Sequence, residues 1–143
     1  HLFSSAASDV YKRQKLGKKL KIVSDQVGCP TYAYDIADFI FTLIDSLHSS
    51  CAQNEIYHFA GLHSCSWYEF ANLINKVAFN EGFVEKDNLI EPIESSSYKG
   101  NIALRPKYSI LNSNKAYNDF SLRPTKLQNA ILKSILSIEN DER

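Results

Sequence analysis

Apolar residues recur at helical spacing in three stretches of the chain, and this pattern outlines an architecture before any single residue is weighed. Ile36, Phe39, Ile40, Leu43, Ile44 and Leu47 form a continuous stripe, which predicts a helix from about Ala33 to Leu47 with one buried face. Phe70, Leu73, Ile74 and Val77 form a second stripe, preceded by Ser66-Trp67-Tyr68-Glu69 at capping-box spacing and followed by Gly82 as a stop. Leu127, Ile131, Ile135 and Leu136 give the buried side of a third helix, with Pro124 suited to its first turn and Glu139 to Arg143 as a frayed tail. Between these lie β-type runs at Leu20 to Val23, at Ile56 to Phe59 ended by Gly61, and at Leu89 to Ile93, where Pro92 marks an edge. Asn112 can cap a short helix through Tyr117, and Glu94 to Leu104, without periodicity, reads as a mobile flap. Strand, helix, strand order points to an α/β fold.

The run from Val23 to Ala37 packs a strand end, a polar loop and a helix start into one junction, a place where ligands often sit. Gly28 permits a close approach that a Cβ would block, and Pro30 fixes the turn through its φ. Gln26 and Thr31 offer side-chain hydrogen bonds there, suited to a sugar hydroxyl or a phosphate; the plainer alternative is that they satisfy backbone groups of their own loop.

Here the string Asp-Gln-x-Gly-x-Pro-Thr-Tyr-Ala-x-Asp-Ile-Ala resembles the dTDP-4-dehydrorhamnose reductase family of extended short-chain reductases. Ile56-Tyr57-His58-Phe59-Ala60-Gly61 with Ser66 to Ala71, and Arg105-Pro106-Lys107-Tyr108-Ser109-Ile110-Leu111-Asn112, are similar to later family segments in the same order. The resemblance runs from about Lys15 to the C-terminus and covers only the family's C-terminal portion. It implies the C-terminal part of a Rossmann-type fold with the small substrate-binding domain, spanning residues 15–143. In the complete enzyme NADPH would reduce the C4 ketone of a dTDP-sugar to give dTDP-L-rhamnose, with a homodimer as one open assembly. The site residues it implies are Gln26, Gly28, Pro30, Thr31 and Arg105, which would orient the nucleotide sugar. Arg105 matches the family's arginine, and a guanidinium can hold a phosphate bidentately. Its plainer role is a salt bridge to Asp35 or Glu69. Tyr108 and Ser109 are weaker candidates, for stacking and capping.

No catalytic residue is assigned. The five glycines contain no Gly-x-Gly-x-x-Gly turn to hold a dinucleotide. Tyr11 and Lys15 have the spacing of the family's tyrosine–lysine pair, but only nine residues separate Lys15 from Asp25, whereas the family places a strand and a further helix between. Residues 1–14, in particular Ser4 to Gln14, resemble translated adapter read-through and read as a non-native extension outside the fold. The chain alone is therefore expected to be inactive. Two rivals share the fold: a non-catalytic subunit like the regulatory β subunit of methionine adenosyltransferase, and a nucleotide-sugar epimerase or dehydratase.

Composition narrows the partners further. Sixteen basic residues balance sixteen acidic ones among 143, so no broad field draws the chain to nucleic acid or a membrane. Cys29, Cys51 and Cys65 lack paired spacing and fit free thiols in a cytoplasmic protein, and no apolar run approaches the ~20 residues of a membrane span. Cys29, Cys65, His58 and His63 lack metal-ligand spacing. Lys18, Lys19 and Lys21 read as a solvated strand edge, Asp35 as a helix-start carboxylate, and Trp67 as a core anchor. Strands made to join a sheet from an absent half would leave an edge and apolar surface uncovered, so the isolated chain should be poorly soluble.

Overall fold

Ser66 and Glu69 start the central helix as their spacing predicts. The Ser66 hydroxyl accepts from the Glu69 amide at 3.1 Å, and Glu69 Oε2 accepts from the Ser66 amide at 2.7 Å. Such a box satisfies two otherwise orphaned donors and contributes about 1 kcal/mol. The helix ends as expected at Gly82, whose φ of 75° suits the left-handed C′ position. There the Gly82 amide bonds Phe79 O and the Phe83 amide bonds Ala78 O.

The computed structural model describes residues 2–47, 55–85, 90–97 and 105–141. In chain order they form α1 (Leu2–Lys15), β1 (Leu20–Val23), β2 (Val27–Gly28), α2 (Ala33–Leu47), β3 (Cys65–Ser66), α3 (Trp67–Asn80), β4 (Ile90–Ile93), a 3-10 turn (Ser95–Ser97), α4 (Asn114–Asp119) and α5 (Leu127–Asp141). Strands β1 and β4 pair in parallel, with Leu20 opposite Ile90 and Ile22 opposite Pro92. Strands β2 and β3 pair antiparallel. The expected α/β order is present.

Helix α3 lies between the α1/α5 pair and the β1/β4 pair. Its Phe70, Ile74 and Ala78 join Tyr11, Val84, Ile131 and Ile135 in one core cluster, with Leu73 and Val77 partly buried against it. Its Ala71 joins Leu20 and Ile90 in a second. Small residues at positions 71 and 78 let neighbouring backbones approach closely enough to exclude water.

Residues 2–14, read as a non-native extension, form most of α1, and Tyr11, 1 % exposed, sits in the first core cluster. Several other expectations need correction. Ile56 to Phe59 is not a strand: among the described residues nothing forms a ladder with it, and β-propensity alone makes no strand without a partner. Its aromatic rings pack instead on α2 and the end of α4. Phe59 stacks on Phe39 at 4.8 Å, and Phe120 meets Tyr57 edge-on at 5.0 Å. Pro124 precedes α5 rather than opening it, because the Asp35 carboxylate holds the next residue, Thr125, through its amide at 2.9 Å and its hydroxyl at 2.7 Å. Leu136 points outward, one residue off the stripe that Leu127, Ile131, Ile135 and Ile138 define. The supposed tail is helical to Asp141, and Glu139 accepts from Tyr11 Oη at 2.7 Å and Lys15 Nζ at 2.8 Å. Of the flap, residues 98–104 lie outside the described residues, as do Cys51 and Leu89.

Helix α2 has the predicted bounds but only part of the predicted burial. Phe39 is covered, while Ile40, Ile44 and Phe41 are 48 %, 46 % and 68 % exposed. No helix among the described residues is long and apolar enough to cross a membrane. Replacing Phe41 with Ser should raise the soluble, monodisperse fraction in sedimentation without lowering the thermal midpoint by more than a few degrees, since most of that side chain already faces solvent.

Candidate functional site

Val27 ties the polar loop to a segment some eighty residues away. Its amide donates to Lys107 O at 2.8 Å, and its carbonyl accepts from the Ser109 amide at 2.9 Å. On its other side Val27 faces Ser66 in the β2/β3 pair. The loop is thus held between two extended neighbours, and a Cβ added at Gly28 would come within 3.0 Å of Ser109 Oγ.

Asp25 adds an ionic clamp at the loop entrance. Its carboxylate accepts from the Ser95 amide and hydroxyl, both at 2.8 Å, and pairs with Lys107 Nζ at 3.2 Å. Burial pushes its pKa up, but the Ser95 hydrogen bonds and the Lys107 charge outweigh it and bring it down to about 2.

At the loop exit Thr31 Oγ1 donates to Cys29 O at 2.9 Å and accepts from the Gly61 amide at 3.0 Å. Gly61 passes so close to Pro30 that an added Cβ would overlap the Pro30 carbonyl. The Thr31 hydroxyl is thereby engaged with the backbone, the plainer of its two readings. Tyr117 Oη donates to Ala60 O, fixing the neighbouring residue.

Gln26 and Arg105 line one groove of about 620 Å³, together with β1 and residues of α1, α3 and β4. Trp67, Lys19 and Lys21 line it too. Arg105 is exposed and makes no salt bridge with a carboxylate of the described residues: Asp35 is taken by Thr125, and Glu69 by Ser66. Gly28, Pro30 and Thr31 face a different cavity of about 280 Å³, shared with Cys29, Cys65 and Ser109. Trp67 and Phe70 wall both cavities. Burial, Glu69 and Cys29 push the Cys65 thiol up to about 11, which keeps it protonated and unreactive near neutral pH.

Of the five residues expected at a ligand site, the structure therefore brings Gln26 and Arg105 together and sets the other three behind the loop. Sequence reasoning missed Trp67 and the two lysines as groove residues. The signal for Trp67 was its place just after Ser66, the strand residue opposite Val27. Tyr11 and Lys15 both donate to Glu139. Among the described residues no three His, Cys, Asp or Glu side chains gather as a metal cage.

The model of the RmlD substrate binding domain matches residues 4–139. The chain belongs to this family. A dTDP-4-dehydrorhamnose reductase of Aggregatibacter actinomycetemcomitans is 33% identical over 113 residues, 78% of this chain and 38% of that protein. The spore coat polysaccharide biosynthesis protein SpsK of Bacillus subtilis is 32% identical over 131 residues, 92% of this chain and 41% of its own. A dTDP-4-dehydrorhamnose reductase of Bacillus anthracis, solved in complex with NADP, superposes with a TM-score of 0.72 at 27% identity, covering 92% of this chain and 42% of that one. The family member described here thus spans about two fifths of the length of these relatives, and its fold is the corresponding part of an extended short-chain reductase.

Two outcomes test the loop. Gly61→Ala should cost about 1–3 kcal/mol in denaturant unfolding, because the new methyl must displace backbone. The Asp25 carboxyl is lower in the fold than its ordinary 3.8, so its contribution is complete above about pH 4 and is lost as pH falls toward 2. Asp25→Asn should therefore flatten the fall in stability between pH 5 and pH 2.5, measured by urea unfolding at each pH.

Proposed function

We propose that residues 15–143 are the sugar-nucleotide-binding portion of an NADPH-dependent dTDP-4-dehydrorhamnose reductase, whose product is dTDP-L-rhamnose. The observation that carries this reading is the groove shared by Gln26 and Arg105 in a chain of this family. Arg105, with no carboxylate partner among the described residues, supplies a planar fork of donors for a phosphate. Gln26 supplies an amide able both to donate and to accept. Trp67 adds an aromatic face to the same groove. Gly28, Pro30 and Thr31 serve the site from behind, holding the loop so that Gln26 keeps its place. Such positioning lowers the entropy lost at the reacting centre without itself moving a proton or hydride.

The chain's own residues do not fit the dinucleotide. At the β3-to-α3 junction the Ser66 and Glu69 amides are taken by the capping box and the Trp67 amide by Gln26 O, and no glycine-rich turn occurs in the sequence. The 143-residue chain should therefore bind dTDP yet show no NADPH oxidation with the 4-keto sugar nucleotide. Arg105→Ala should weaken dTDP at least about tenfold in titration calorimetry, with Arg105→Lys between the two, since a point charge replaces a bidentate fork. In the full-length reductase the same change should raise KM for the sugar nucleotide; an unchanged KM removes Arg105 from the site.

A further inference from the structure

Six charged side chains line the groove: Asp9, Arg13, Lys19, Lys21, Glu91 and Arg105. Asp9 and Arg13 neutralise each other across 3.0 Å. Lys19 and Lys21 are exposed, and neither makes a salt bridge with a described carboxylate. Glu91 stands beside Lys21 in the β1/β4 register without such a bridge to it. The groove consequently holds two more cations than anions, although the chain as a whole is neutral. A solvated strand edge has no reason to face its lysines toward the same cavity as an arginine without a carboxylate partner among the described residues. A dianion does supply one, and the diphosphate of a nucleotide sugar is a dianion at neutral pH.

We propose that Lys19 and Lys21 are positioning residues for the anionic part of the ligand, completing with Arg105 a three-cation lining that holds the diphosphate in the β1 groove. This rests on the sugar-nucleotide reading above and extends it to two residues assigned there to no role. Arg105 supplies the directional contact. The lysines supply field, on flexible stems that tolerate differences in the sugar beyond the diphosphate. Their contribution is consequently sensitive to salt, and insensitive to any part of the ligand that carries no charge.

The test titrates the 143-residue chain with dTDP, inorganic pyrophosphate and thymidine at several salt concentrations. At low salt Lys19→Gln and Lys21→Gln should each weaken dTDP and pyrophosphate by about fivefold, as loss of one nearby charge in a partly solvated groove predicts. The double Gln variant should also bind with a shallower dependence on salt, while the Lys19→Arg, Lys21→Arg double variant keeps both affinity and slope. Thymidine binding and the thermal midpoint should not change. A double Gln variant that binds dTDP with unaltered affinity and slope, while Arg105→Ala is weakened, overturns the lysine assignment and leaves the site reading standing. Loss of thymidine binding in parallel with dTDP overturns it as well, by making the lysines structural. If the unaltered chain binds no dTDP, the site reading falls and the lysine assignment with it.

Discussion

The architecture of the site depends on the two backbone hydrogen bonds that Val27 makes with the 107–109 segment. A two-residue strand has little stability of its own, since strand pairing needs neighbours and an apolar face. Here the strand has neighbours on both sides, β3 and the 107–109 segment. Asp25 reinforces the junction with charge-assisted bonds to Ser95 and Lys107, stronger than neutral ones in a partly buried setting. These contacts are what carry Arg105 to the same groove as Gln26. Without them the guanidinium would be one more surface charge.

The two layers beneath the loop have different stiffness. On one side α3 packs against α1, α5 and the β1/β4 pair through small and branched residues, giving the density of a protein interior. On the other, α2 rests on a set of rings: Phe39, Tyr57, Phe59, Tyr117 and Phe120 meet stacked or edge-on. Each such pair contributes about 0.5–1.5 kcal/mol beyond its buried area. Lys115 extends the set, lying 4.3 Å from the Tyr57 ring while bonding Asp119 at 2.7 Å. The loop therefore spans a dense helical core and an aromatic layer whose outer helix is only half covered.

Much of the fold was legible because the signals were local. The bounds of α2, the capping box at Ser66 and the stop at Gly82 depend on residues close together in the chain. Ile56 to Phe59 failed for the opposite reason: strand pattern says nothing about whether a partner lies alongside. Pro124 failed because a tie from Thr125 to Asp35, ninety positions earlier, sets where the chain turns before α5. At the site, the loop and Arg105 could each be picked out by family likeness. That Gln26 lines the same groove as the arginine while Thr31 turns back to Gly61 follows from long-range pairing, which no local pattern encodes.

Trp67 is a shared wall. Its indole, beside the Phe70 ring, lines both the cation-lined groove and the chamber that holds Cys29 and Cys65, and it sits on the first residue of α3, whose start is pinned by two hydrogen bonds. Anything that fills the groove therefore meets a ring that the thiol chamber shares, so the two compartments are neighbours through these two side chains rather than through the backbone.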